Sequence, residues 1–124
     1  MRWLARLLCL FLWGGAAGAA TPAPRIIVLQ YHHVSAKTPA VTSVTPEQLQ
    51  AHLTILREEG FEVWSLPRVL AQLKSGRQPK KPVVTLTFDD AYQNFLTHAW
   101  PILSQKGLPA TVFVPTSHIR DQPG

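Results

Sequence analysis

Val83-Val84-Thr85-Leu86-Thr87-Phe88-Asp89-Asp90-Ala91-Tyr92 opens on apolar and β-branched residues and closes on two adjacent acids before an aromatic. Lys80-Lys81-Pro82 bounds it upstream. Such a run, set between polar punctuation, reads as a buried strand ending at a functional edge. Neighbouring side chains on extended backbone point opposite ways, so the carboxylates of Asp89 and Asp90 are expected to do different jobs. One can bind a metal while the other handles a proton, which suits hydrolysis. A plainer account makes an acid the N-cap of the helix that follows, because an Asp oxygen accepts a free backbone N–H. A single Asp would meet that need. Two like charges closing an apolar strand repel and are costly to desolvate, so the catalytic reading is preferred.

The 124 residues, 46% hydrophobic and 15% charged, suit one globular domain. The first twenty are different material. Arg2 and Arg6 precede an apolar run, Leu7–Trp13, and Gly14–Ala20 is small residues only. That is the three-part pattern of a secretory signal peptide (residues 1–20), with cleavage expected after Ala19 or Ala20. An uncleaved anchor is the alternative, but the apolar core is short against the roughly 20 residues of a spanning helix. Export is therefore expected, with no stable membrane anchor once the segment is removed. Cys9 leaves with it, so the mature chain would hold no disulfide.

Two of the twelve basic residues, Arg2 and Arg6, also leave, and ten then face seven acids. Much of the excess is Lys74, Arg77, Lys80 and Lys81, read as a solvated polar loop. No aromatic or groove-reading motif points to nucleic acid. Nothing in the pattern assigns an oligomeric state.

Thr21–Pro24 reads as a linker, and residues 25–124 as the domain. Arg25–Tyr31 is expected to be a first strand, its continuous apolar run suggesting cover on both faces; a polar loop then runs to Thr45. Thr45-Pro46-Glu47-Gln48 is a helix start, with Thr as N-cap, Pro at the first position and Gln three residues after the cap. Leu49, Leu53 and Leu56 repeat at helical spacing and Gly60 closes the element. Phe61–Trp64 predicts a short strand. A second helix carries Pro67 near its start, with Val69, Leu70 and Leu73 inward, and stops at Gly76. After the central strand, a third helix spans about Tyr92 to Lys106 and buries Phe95, Leu96, Ala99 and Leu103. Pro101 should bend it or loosen a turn. Ala110–Val114 is a last strand. The order βαβαβαβ implies an α/β fold with parallel strands.

In parallel α/β sheets and barrels, reactive groups gather at the carboxyl ends of strands. Tyr31-His32, Asp89-Asp90 and Pro115-Thr116 are such ends here, so His32 and the Asp pair should share a rim. Thr87-Phe88-Asp89-Asp90, followed by an aromatic and by an apolar helix leading to Gly107-Leu-Pro-Ala-Thr-Val-Phe-Val114, resembles the NodB-homology polysaccharide deacetylases, carbohydrate esterase family 4. Tyr31-His32-His33-Val34 and its spacing to the acids resemble the exported poly-β-1,6-N-acetylglucosamine N-deacetylase branch. The likeness covers roughly Ile26 to Val114.

That resemblance implies a partial (β/α)7-type barrel, a divalent metal (usually zinc) and an N-acetylglucosamine polymer as substrate. By position, Asp89 would be the general base, Asp90 a metal ligand, and His32 the acid that protonates the departing amine. Two departures stand out. The family usually has Gly where this chain has Ala91, and Ala tolerates positive φ badly. The family also completes its metal site with a later His-x-x-x-His-type motif, which is not found here. His118 matches no motif, and His52 and His98 read as helix-surface or core-edge residues. A zinc site normally takes about three protein ligands and a barrel about 200 residues or more. The chain is accordingly expected to be an N-terminal portion, inactive alone. Two other functions stand as rivals. An Asp-nucleophile phosphatase usually separates its acids by one residue so that both face one way, unlike the pair here. A non-catalytic exported carbohydrate-binding or interaction protein on the same fold is the stronger rival.

Overall fold

The computed structural model describes residues 26–119. The expected signal segment (1–20) and linker (21–24) lie outside them. Strand β1 spans Ile26–Tyr31, β2 His33–Val34, β3 Ser43–Val44, β4 Glu62–Val63, β5 Val83–Phe88 and β6 Thr111–Val112. The helices are α1 (Pro46–Glu58), α2 (Leu66–Lys74) and α3 (Trp100–Gln105), the last entered through a π-helical turn at Phe95–Ala99. Helix α1 begins as its sequence dictates. Thr45 Oγ1 accepts from Gln48 N–H while the Gln48 side chain accepts from Thr45 N–H. This capping box satisfies two N–H groups that a helix start otherwise leaves free. Gly60, at φ 76°, leads the chain out.

Every strand pair among the described residues is parallel. β5 is the hub. It runs beside β1 along its whole length, from Ile26 opposite Val83 to Tyr31 opposite Phe88. Its other edge is shared: β4 pairs with Val83 and Val84, β6 with Thr87 and Phe88. All six residues of β5 are buried, as expected of the strand that anchors a parallel sheet. Val84, Leu86 and Phe88 join Leu49 and Leu53 of α1 and Ala99, Ile102 and Leu103 of the third helical segment in one core. Val83 instead meets Trp64 and Val69 in a smaller cluster. The Phe88 ring stacks on Tyr31 at 5.1 Å and meets Phe95 edge-on at 4.9 Å.

Several expectations need correction. β1 is not covered on both faces: Ile27, Leu29 and Tyr31 pack on the core, whereas Val28 is 55% exposed. It has a ladder partner on only one edge in the described sheet, β5. Leu70 and Leu73 of α2 are also exposed, and only Val69 of that helix is buried. The third helix departs from ideal winding as its proline foreshadows. Pro101 lacks an N–H and its ring crowds the carbonyl four residues back; immediately upstream the helix widens, with Trp100 N–H reaching Phe95 O, five residues back. That wider turn displaces the face expected from regular spacing, so Leu96 is exposed and Ile102 takes a core place. The loop before α1 is not featureless, since β2 and β3 pair within it. The last strand is shorter than expected, with Phe113 and Val114 exposed beyond β6.

Candidate functional site

Parallel pairing in register brings the carboxyl ends of β1 and β5 together. The ladder runs past the strand ends, because Asp89 N–H donates to Tyr31 O at 2.8 Å and Phe113 N–H donates to Phe88 O at 2.8 Å. Asp89 is thereby fixed at the rim between β1 and β6. His32 follows Tyr31 directly, and its Nε2 lies 3.8 Å from Asp89 Oδ2. That is an ion-pair distance when the imidazole is protonated and too long for a hydrogen bond. Both side chains reach solvent, His32 at 36% and Asp89 at 24% exposure. The Gln30 side-chain amide donates to the same Oδ2, holding the carboxylate in place.

Asp90 is arranged differently from the expectation. It does not continue the strand, so its divergence from Asp89 is not a matter of pleat alternation. Asp90 has φ 68° and Ala91 φ 51°; two successive left-handed residues swing the chain from β5 toward the helix. Asp tolerates that conformation because its short polar side chain can bond locally. Neither acid is an N-cap of the π-helical turn, whose cap position is Asn94. The Asp90 charge pushes the Tyr92 hydroxyl above its usual range, with smaller contributions from desolvation and a hydrogen bond to the same carboxylate.

The rim has a second layer. His33 stacks on Tyr92 with ring centroids 3.7 Å apart and planes at 21°. Asn94 accepts from Val34 N–H at 3.0 Å and faces His33 Nδ1 at 3.0 Å. A cavity of about 170 Å³ opens beside His32, lined by Gln30, Tyr31, His33 and the loop residues Val41, Thr42, Ser43 and Val44.

The structure therefore brings His32 and Asp89 together, while the chain turns off the strand at Asp90. Sequence reasoning missed Gln30, Tyr92, His33 and Asn94. Gln30 did leave a signal, as the polar residue in an otherwise apolar strand, one place before its end. His52 and His98 sit on helices as expected, bonding to Tyr31 Oη at 3.2 Å and Val34 O at 2.8 Å. His118 lies in a 3₁₀ turn, Thr116–His118, after β6. Among the described residues no three His, Cys, Asp or Glu side chains converge. Asp90 is one candidate ligand and does not by itself make a metal site.

A family model described as polysaccharide deacetylase matches residues 76–124. The poly-β-1,6-N-acetyl-D-glucosamine N-deacetylase of Escherichia coli is 31% identical over 78% of this chain and 15% of its own length. The protein of that name from Staphylococcus aureus is 29% identical over 74% of this chain and 31% of its own. The chain thus spans about a third or less of the curated relatives it matches. Among solved structures, IcaB from Ammonifex degensii superposes with a TM-score of 0.67 at 24% identity, over 74% of this chain and 39% of that one. A de-N-acetylase from Aggregatibacter actinomycetemcomitans gives 0.61 at 27% identity, over 71% and 36%. The Streptococcus pyogenes deacetylase PplD, solved with acetate, gives 0.58 at 31% identity, over 74% and 42%. In sequence and in fold, the chain is similar to polysaccharide deacetylases.

Proposed function

We propose that this chain serves the hydrolysis of N-acetyl groups on an N-acetylglucosamine polymer. The observation that carries the reading is the His32–Asp89 pair, 3.8 Å apart at the shared end of two parallel strands. Amide hydrolysis moves two protons. A base takes one from water as its oxygen attacks the acetyl carbon, and an acid gives one to the nitrogen as the C–N bond breaks. Asp89, steadied by Gln30, is assigned the first transfer. The His32 imidazolium, beside that carboxylate, is assigned the second. The products are acetate and a free amine on the sugar.

Asp90 is proposed as a ligand to a divalent metal, zinc by family likeness, whose other ligands do not lie among the described residues. Export to the periplasm or cell exterior belongs to the same proposal and rests on residues 1–20.

Acetate release from poly-β-1,6-N-acetylglucosamine tests the reading, measured on the protein as encoded with added zinc. Asp89→Asn should abolish release while bound metal stays near the wild-type level. Should that variant lose its metal instead, the roles of the two acids are wrong. His32→Ala should slow turnover without changing metal content; unchanged turnover would remove His32 from the chemistry. Zinc titration of the 124-residue chain addresses the rival, a non-catalytic carbohydrate-binding protein. Stoichiometric binding that Asp90→Ala abolishes would sink it.

A further inference from the structure

Val34 is wholly buried, and side chains hold both polar groups of its backbone. Asn94 Oδ1 accepts its N–H at 3.0 Å, and His98 Nδ1 donates to its carbonyl at 2.8 Å. Strand β3 does not compete for these groups, since it accepts from the next residue, Ser35 N–H to Val44 O at 2.8 Å. Asn94 caps the start of the π-helical turn and His98 lies within it, so one helical segment grips the β2 backbone at two points. Burying a peptide unit without such partners would be costly. The geometry also fixes protons. Asn94 Oδ1 accepts from the backbone, so the atom facing His33 Nδ1 at 3.0 Å is the donor Nδ2. His33 Nδ1 therefore accepts, and the proton of the neutral ring sits on Nε2. His98 is the opposite case, because its Nδ1 faces a carbonyl and must carry hydrogen.

We propose that Asn94 and His98 are positioning residues, a clamp on Val34 that sets His32 beside Asp89. The proposal rests on the assignment of that pair to proton transfer. His32 lies between two fixed points: the β1–β5 ladder ends at Tyr31 on one side, and the clamp begins two residues later. Neither clamp residue is placed at the reacting atoms. Their effect passes through the backbone.

Histidine ring NMR on the 124-residue chain tests this without substrate, so a failed acetate assay and a failed clamp are separate results. Wild type should show the Nε2–H form at His33 and the Nδ1–H form at His98. Asn94→Asp keeps the acceptor for Val34 N–H and removes the donor to His33. His33 Nδ1 should then gain a proton while Val34 amide exchange stays slow. Asn94→Leu removes both hydrogen bonds and should speed Val34 exchange by about two- to tenfold, the worth of one of them. Asp89→Asn should shift the His32 ring signals in wild type and much less in the Asn94→Leu background. His98→Leu gives the same comparison if Asn94→Leu does not fold. An unchanged His33 tautomer in Asn94→Asp, or a His32 response that survives loss of the clamp, overturns the proposal.

Discussion

Replacing Ala91 with glycine should stabilise the protein, against the usual cost of adding a glycine. Ala91 sits at φ 51° directly after Asp90 at φ 68°, and its side chain is exposed. A left-handed alanine carries about 1–2 kcal/mol of strain, because Cβ crowds the following carbonyl. Glycine removes that strain but gives the unfolded chain more freedom, an opposing effect of about 0.4–1 kcal/mol. The balance is about 0.5–1 kcal/mol in favour of Ala91→Gly, and the exposed methyl leaves no hole in the core. For a domain of this size that is a rise of about 2–8 °C in Tm. Gly60→Ala is the mirror experiment. Gly60 has φ 76° and no heavy atom within 4 Å of where a Cβ would stand, so no clash adds to the same balance of backbone strain and chain entropy, and its loss should be about 0.5–1 kcal/mol. Thermal and urea unfolding followed by circular dichroism would read both, with the urea slope unchanged. If Ala91→Gly lowers Tm, or if both substitutions move stability the same way, the left-handed turn after the acid pair is wrong.

Phe88→Ala should cost about 3–5 kcal/mol, since it empties the space between Tyr31 and Phe95 in the core. Against a total of about 5–15 kcal/mol, the urea midpoint should fall sharply or the cooperative transition vanish; a loss under about 1 kcal/mol would contradict full burial. Thr45→Ala should cost about 1 kcal/mol by removing half of the capping box, with Thr45→Ser recovering most of it in the same titration. Burial lifts the Tyr31 hydroxyl above its ordinary value of 10.0, so the native state holds this proton more tightly than the unfolded chain. Its contribution is complete below about pH 10 and is lost as pH rises through the raised value. Unfolding curves above pH 10 should therefore decline less steeply for Tyr31→Phe; an equal decline would remove Tyr31 as the cause.

What the sequence made legible was local and strongly patterned. The β5 run, the α1 capping box and the helix-ending Gly60 each follow from short-range chemistry, and all three stand as read. The placing of His32 near Asp89 was also legible, because neighbouring parallel strands carry their carboxyl ends to one rim. What failed was anything that needed to know what lies against an apolar face. Val28, Leu70 and Leu73 have the composition of core residues, yet composition cannot say whether a partner layer is present. Leu96 failed for a different reason. Its spacing assumed regular winding across a segment whose proline forces a wider turn.

That same turn explains why the surroundings of the site were hidden. Asn94 and His98 are ordinary polar residues on a helix, and their partner is backbone some sixty residues away. Hydrogen bonds from side chain to backbone leave no complementary residue type to notice, unlike an ion pair or a cysteine pair. The cue available was indirect. A buried valine in a two-residue strand must have its N–H and C=O satisfied, and β3 engages neither, its Val44 carbonyl accepting from Ser35 instead. Asking where each backbone group of His32-His33-Val34 finds its partner leads to the helix after the acid pair. Under the proposed assignment, the positions that hold His32 beside Asp89 are therefore found by following backbone hydrogen bonds outward from that pair, not by searching for further polar clusters.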